Sequence, residues 1–212
     1  MLTRLLVLTL LPANRSPANS ETLTPARIQG RPLSNWLDSY LSGLPHIDGS
    51  PIHLEFLSGL TAHRGRLLTG EPERGKAVHA ASFLRERRIV LEDTLIENPS
   101  LLRLLLTHEI FHFVWIRLSN GSRREFEQAL HREHRARTTS ELGESSAVAR
   151  ELLQAGDEAQ RSLRWRSYVC ESFCDTAAWA YGGLKCYRYF RLAPEWRKRR
   201  AAVLSNIRVS RA

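Results

Sequence analysis

The most strongly helical segment of the chain carries three titratable side chains at its centre. Residues 99–118 have the periodicity of a helix with one continuous apolar stripe. An Asn-Pro pair before this segment and a Ser-Asn-Gly run after it are typical of a helix start and a helix end. His108, Glu109 and His112 lie inside the helix. The fold must therefore accommodate a carboxylate and two imidazoles in an apolar environment.

The two histidines are spaced to bind one metal ion. His108 and His112 are four residues apart, so both imidazoles project from the same face of the helix. Glu109 lies one step round the helix, where it can act on water at the metal without being a ligand. The alternative is a pair of core histidines that donate to backbone carbonyls. That alternative leaves Glu109 as an unpaired buried carboxylate, which is costly, so the context favours a metal site.

A catalytic zinc ion needs a third protein ligand and an open position. A second predicted helix, over residues 166–181, carries Glu171 and Asp175, which are again four residues apart on one face. Glu171 can bind the metal, and Asp175 can accept the second ring proton of a ligand histidine and fix its orientation. The alternative is a solvated or arginine-paired acidic face. The apolar and small neighbours of the two carboxylates favour the ligand interpretation.

The run His-Glu-Ile-Phe-His at 108–112, followed by Glu171 and Asp175, resembles the gluzincin group of thermolysin-like zinc metallopeptidases. The resemblance covers about residues 88–183, which is under half of the chain. It implies that His108, His112 and Glu171 bind Zn2+. It further implies that Glu109 is the general base and that Asp175 orients His108. The implied fold is α+β and zincin-like, with a small mixed sheet packed on the 108–112 helix and a second helix that carries the glutamate.

Other implications of the resemblance are less specific. The strand predicted at 88–96 would be the sheet edge along which an extended substrate lies. The segment between His112 and Glu171, residues 113–170, has 58 residues and is longer than in thermolysin-like enzymes. The residue that stabilises the oxyanion is not identified by the pattern. Its candidates are Tyr187, Tyr189 and His131, and ordinary packing or surface exposure is the alternative for each.

The remainder of the chain suggests three regions. Residues 1–34 contain a short apolar, signal-like run at 5–11 and four prolines, and they predict an N-terminal arm or linker. Residues 35–193 would form the catalytic domain, and the basic residues 194–212 a tail with a solvated helix end. Within the domain we expect a helix at 34–43, extended segments at 52–57 and 77–84, and a charged helical segment at 122–162 that breaks near Gly143.

Arginine accounts for most of the positive charge. Of 31 basic residues, 28 are arginine, and the net charge is +9. An arginine excess is one sign of nucleic-acid binding, but these arginines are scattered and interleaved with glutamates. We therefore expect no specific nucleic-acid partner and treat a bias toward arginine in coding as the simpler explanation.

The three cysteines, Cys170, Cys174 and Cys186, are too few for a disulfide framework. Cys170 and Cys174 are also four residues apart and could form a soft metal site with Cys186. Small buried core residues are the interpretation that we adopt for them.

These observations predict a zinc-dependent peptidase that hydrolyses a peptide or protein substrate. The alternatives are a zincin-like hydrolase of a non-peptide amide and an arginine-rich nucleic-acid-binding protein with a structural metal. No segment is long enough to span a membrane. A cytoplasmic location is expected, and export through the N-terminal signal-like segment is the alternative.

Overall fold

The computed structural model describes residues 31–45, 50–70 and 75–207, together with the backbone of 7–9 and 27–28. Within these ranges the chain is an α+β protein. The helices are α1 Leu33–Leu41, α2 Pro99–Trp115, α3 Asn120–Arg135, α4 Glu144–Glu151, α5 Asp157–Gln160, α6 Leu163–Tyr181 and α7 Pro194–Asn206. The strands are β1 Val7–Thr9, β2 Arg27–Ile28, β3 Arg31–Pro32, β4 His53–Leu57, β5 Thr61–His63, β6 Arg66–Leu68, β7 Lys76–Ala77, β8 Ala80–Phe83 and β9 Arg88–Glu92.

The largest described sheet has four strands in the order β1-β8-β9-β4. β8 and β9 are antiparallel, whereas β1 pairs with β8 and β4 pairs with β9 in parallel. The expectation that β9 forms a sheet edge is therefore wrong, because β8 and β4 occupy its two sides. Backbone groups that are already paired within a sheet cannot also bind an extended substrate.

The strand that precedes α2 is shorter than expected. It begins at Arg88, but it ends at Glu92, four residues early. The Glu92 carboxylate accepts the backbone N–H groups of Gly59 and Leu60, each at 2.8 Å, and so ties the strand end to the loop after β4. A 3-10 helix, Asp93–Glu97, then leads the chain into α2.

Helix α2 starts where the sequence predicts. The Asn98 side chain accepts the backbone N–H of Leu101 at 3.2 Å and caps the helix. The helix ends at Trp115, three residues earlier than expected. Arg123 donates to the carbonyl oxygens of Trp115 at 3.1 Å and Ile116 at 2.8 Å, and so satisfies groups that a further helical turn would otherwise pair.

The core lies between α2 and its neighbours. Every residue from 104 to 114 is buried, and α2 packs along α6 and against β8. Ring contacts of Phe173 with Phe111, Trp115 and Phe126 join α2, α6 and α3. Because α2 is enclosed on all sides, its polar side chains must find their partners inside the protein.

The charged segment at 122–162 forms α3, α4 and α5. The break predicted near Gly143 is confirmed, since Gly143 is the cap residue that precedes α4. Helix α6 starts at Leu163, after the Ser162 hydroxyl accepts the N–H of Trp165, and it ends before the Gly182-Gly183 pair. No helix among the described residues has the length and hydropathy needed to cross a membrane.

The basic residues from 194 onward differ from the expected solvated tail. They form α7, which packs against α3 and α6. Arg200 is fully buried and donates to Glu133 at 2.8 and 2.6 Å and to Glu141 at 2.9 Å. The folded domain therefore continues to Ile207. Of the N-terminal arm, most of residues 1–30, including parts of the signal-like run, lies outside the described residues.

Candidate metal centre

Two imidazoles from α2 meet at the centre of the fold. The Nε2 atoms of His108 and His112 lie 3.2 Å apart, and the two residues are 2% and 1% exposed. One helical turn separates them, so the helix itself produces this convergence, as the sequence spacing predicts. Two ring nitrogens that face each other at this distance in a dry core present a bidentate site for a cation.

Glu171 completes a three-atom set with the histidines. Its Oε2 lies 3.2 Å from His108 Nε2 and 3.8 Å from His112 Nε2. Ligand atoms about 2.0–2.1 Å from a tetrahedral zinc ion lie roughly 3.3 Å apart. The three distances between these ligand atoms are therefore close to the distances between the ligands of one tetrahedral zinc ion.

Asp175 holds the opposite edge of the first imidazole. His108 Nδ1 lies 2.8 Å from Asp175 Oδ1, and the Ser146 N–H donates to Asp175 Oδ2 at 2.8 Å. Burial alone would raise the pKa of Asp175, but the charge and hydrogen bond of His108 outweigh it and lower this pKa. An ionised Asp175 fixes the proton of His108 on Nδ1 and leaves Nε2 free to bind a metal.

The loop before α4 is shaped to fit Asp175. A Cβ atom on Gly143 would lie 2.1 Å from the carboxyl carbon of Asp175, so only glycine leaves room for the carboxylate. Ser146, which donates to the same carboxylate, lies in the first turn of α4. The sequence pattern predicts the role of Asp175 but not its contacts with Gly143 and Ser146, because these contacts depend on how α4 packs on α6.

Glu109 is buried beside the cluster without joining it. It is 0% exposed, and the Ser82 hydroxyl on β8 donates to its Oε2, while its Oε1 has no hydrogen-bond partner among the described residues. Burial raises the pKa of Glu109, although the two histidines partly oppose this effect. A buried carboxylate oxygen without a partner, next to a cation site, is suited to accept a proton. Ser82 was not predicted, since its strand carries no sequence signal for this contact.

Cys174 is a second candidate for the third ligand. Among the described residues, His108, His112 and Cys174 form a buried cluster that could hold a metal ion, with one ligand atom of each within 4.8 Å of the others. Glu171 Oε2 lies 3.2 and 3.8 Å from the Nε2 atoms of the same two histidines, so both residues are within reach of one ion. Cys174 is also part of the core, as expected, but the sequence pattern does not place it beside the histidines.

Cys170 contacts the other side of the second imidazole. Its Sγ lies 3.5 Å from His112 Nδ1. A hydrogen bond from Cys174 lowers the pKa of Cys170 to about 6, against burial and with help from His112. Of the two helix cysteines for which we predicted burial, Cys174 is buried and Cys170 is half-buried, whereas Cys186 is exposed.

The surrounding carboxylates favour positive charge at the histidines. Burial lowers the pKa of both rings, but for His108 the charges of Asp175 and Glu171 outweigh burial and hold the pKa well above its usual value. For His112, Glu171 and Cys170 outweigh burial and raise the pKa to about 9. A site that attracts protons so strongly in a dry core also attracts a metal cation.

The three oxyanion candidates lie in different places. Tyr187 lines a small cavity together with His108 and Asp175, so it lies beside the cluster. Tyr189 stacks edge-on against Tyr187. His131 instead pairs with Glu158 and stacks on Trp165. The half-buried His134 pairs with the same carboxylate and also packs on Trp165.

Comparison of the chain with protein-family models, with curated proteins and with solved structures finds no match. The interpretation of the site therefore depends on its own geometry and chemistry.

Proposed function

We propose that this protein is a zinc-dependent hydrolase of the gluzincin type, and that it cleaves peptide bonds. The observation that carries the proposal is the set of ligand atoms on His108, His112 and Glu171, which lie 3.2 to 3.8 Å from one another beside the unpartnered oxygen of Glu109. Two imidazoles and one carboxylate are the ligand set of catalytic zinc sites that keep one position open.

The residues present fit zinc and divide the work of hydrolysis. Zinc, when bound, polarises water and the substrate carbonyl. Asp175 keeps His108 in one tautomer and one orientation. Glu109, whose pKa is raised by burial, accepts the proton of the attacking water and returns it to the leaving amine. Ser82 holds the Glu109 carboxylate in place through the hydroxyl that it donates.

A structural metal site is the second candidate, and Cys174 supports it. If Cys174 joined the two histidines and Glu171, four protein ligands would surround the metal and no open position would remain. The arginine-rich nucleic-acid-binding alternative requires such a closed site. We favour the catalytic arrangement because a closed structural site offers no reason for a buried Glu109 oxygen, Oε1, that has no hydrogen-bond partner among the described residues. A non-peptide amide would be cleaved by the same groups.

The test separates metal binding from chemistry. The purified protein is expected to bind about one zinc ion per chain. Glu109→Gln should retain the zinc and lose hydrolysis of a peptide library by about 100- to 10,000-fold, because it removes the proton acceptor. Glu125→Gln, an exposed glutamate on α3, is the matched control and should have no effect.

Zinc content and peptide cleavage together decide the outcome. A zinc-free protein, or full activity in Glu109→Gln, would overturn the proposed mechanism. Loss of zinc in His108→Ala with full zinc in Glu171→Ala would overturn the assignment of the third ligand.

A further inference from the structure

An arginine-lined cavity lies at the end of the α2–α6 interface that is closest to His112. Its volume is about 270 Å³, and Arg123, Arg124, Arg161 and Arg166 contribute to its wall. Trp115 supplies an aromatic surface, and Glu127 is the only acidic residue of the described lining. The cavity was not predicted from the sequence, because its arginines come from three separate segments of the chain.

Most of the positive charge in this cavity is not neutralised. Arg161 is the exception, since it donates to both oxygens of Glu127 at 2.9 and 2.8 Å. Arg123 donates to two backbone carbonyls, which leaves its net charge unopposed. Arg124 and Arg166 are exposed and have no carboxylate partner in the described part of the chain. The guanidinium groups of Arg124 and Arg166 therefore remain available to an anion, and Arg123 adds positive charge although two of its nitrogens donate to carbonyls.

The cavity is close to the candidate metal centre along two helices. Trp115 follows His112 by three residues on α2, which is less than one turn of about 5.4 Å. Arg166 precedes Cys170 by one turn on α6, and Cys170 Sγ contacts His112 at 3.5 Å. The cavity therefore begins within about one helical turn of His112 along α2 and of Cys170 along α6, although neither residue is part of its described lining.

We propose that this cavity binds an acidic side chain of the peptide substrate, next to the bond that is cleaved. The inference rests on the proposed function and adds a substrate class to it. Guanidinium groups bind carboxylates and phosphates through paired, charge-assisted hydrogen bonds. The Trp115 ring lies under the Arg123 guanidinium, 5.6 Å from it, and so holds this arginine at the cavity wall. Glutamate and phosphoserine share the required anionic chemistry.

Binding is tested in the Glu109→Gln protein, so that no peptide is consumed. Fluorescently labelled peptides that differ only at one position, as glutamate, glutamine or phosphoserine, are titrated and followed by fluorescence anisotropy. The glutamate or phosphoserine peptide is expected to bind at least about tenfold more tightly than the glutamine peptide, with the preference weakening as salt is added. Arg124→Glu with Arg166→Glu should abolish this preference.

A matched variant separates the cavity from the overall charge. Arg66→Glu with Lys198→Glu reverses two exposed basic residues outside the cavity lining and changes the net charge by the same amount. It should retain the preference for the acidic peptide. Zinc content and circular dichroism establish that both double variants are folded.

Several results would overturn the inference. They are an equal loss of binding in the two double variants, equal binding of all three peptides, or displacement of the acidic peptide by single-stranded DNA bound in the same cavity. Failure of the inference is distinguishable from failure of the proposed function. Cleavage of neutral peptides that is unchanged in Arg124→Glu with Arg166→Glu leaves the function intact, whereas binding without any cleavage leaves the cavity assignment intact.

Discussion

Two buried carboxylates beside the same histidines have opposite pKa shifts. The pKa of Asp175 is lowered because His108 and the Ser146 N–H stabilise its charge, whereas the pKa of Glu109 is raised because burial dominates and one oxygen has no partner. In the proposed mechanism, Asp175 with its lowered pKa stays ionised, and Glu109 with its raised pKa accepts a proton. At this scale the local partner, rather than the residue type, determines what each carboxylate does.

Asp175→Asn is expected to weaken zinc binding by about 10- to 100-fold, because the amide no longer holds His108 through a charged hydrogen bond. Competition with a chelator of known affinity measures the effect. Asp38→Asn, at an exposed aspartate on α1, should leave zinc affinity unchanged. An equal affinity in wild type and Asp175→Asn would contradict the orienting role.

Cobalt substitution distinguishes the two candidates for the third ligand. If Glu171 is the ligand, the cobalt-loaded protein should lack the charge-transfer absorption of a thiolate, and Cys174→Ser should bind cobalt as the wild type does. Glu171→Gln should bind cobalt more weakly, since the substitution replaces one of the three proposed ligands of the metal. A thiolate band that disappears in Cys174→Ser would instead place Cys174 on the metal and favour the structural site.

At the scale of elements, α4 and the loop before it support α2 and α6, the two helices that carry the candidate metal ligands. Gly143 has an extended backbone with φ −157°, which any residue can adopt, so its requirement for glycine is purely one of space. The first turn of α4, which follows this loop, carries the Ser146 N–H that donates to Asp175. The geometry of the site therefore depends on α4, although α4 carries none of the candidate metal ligands.

Gly143→Ala is expected to lower the free energy of unfolding by about 1–3 kcal/mol, because the added methyl group overlaps the Asp175 carboxylate and forces it to move. Zinc affinity should fall with it. Urea denaturation measures the stability. Gly121→Ala on α3, where the added Cβ meets nothing closer than 3.6 Å, serves as control and should not destabilise the protein. Retention of both properties in Gly143→Ala would contradict the steric account.

Helix α5 is tied to α6 by an ion pair that depends on pH. Hydrogen bonds from Arg164 and from the Gln154 N–H lower the pKa of Asp157 in the folded state. A depressed folded pKa stabilises the protein above the unfolded value of about 3.9, and this contribution disappears as the pH falls further. Asp157→Asn should therefore be less stable than wild type at pH 6, and the gap should narrow at pH 3. A gap that does not change with pH would refute this linkage.

At the scale of the whole molecule, a buried ionic network joins the C-terminal helix to the rest of the fold. Arg200 on α7 pairs with Glu133 on α3 and with Glu141 in the loop before α4, and Glu141 also accepts the Tyr168 hydroxyl from α6 at 2.6 Å. The network therefore joins α3, α6, α7 and the loop before α4. It explains why a helix rich in basic residues is part of the domain.

Arg200→Ala is expected to cost about 3–5 kcal/mol of stability, because it leaves Glu133 and Glu141 buried without their cation. Thermal and urea unfolding both measure this loss. Lys198→Ala, two residues earlier on the exposed side of α7, should change stability little. Similar stability in the two variants would show that the network contributes nothing.

The features that depend on local spacing were readable from the sequence. The start of α2 follows from the local Asn-Pro signal at its cap. The shared helix face of His108 and His112, and that of Glu171 and Asp175, follow from a period of 3.6 residues, because a helix brings residues four apart together wherever it lies in the fold. The glycine at 143 likewise marks a helix break within its own segment.

Contacts between distant segments were not readable in this way. Ser82 against Glu109, Cys174 near the histidines, the burial of Arg200 and the interior position of β9 all depend on which elements become neighbours. Strand order and helix docking are selected by the total burial of many side chains, and no short run of residues encodes them. The sequence therefore specified which groups can meet a metal, and the packing of α2, α4, α6 and β8 determined how those groups are oriented, charged and supported.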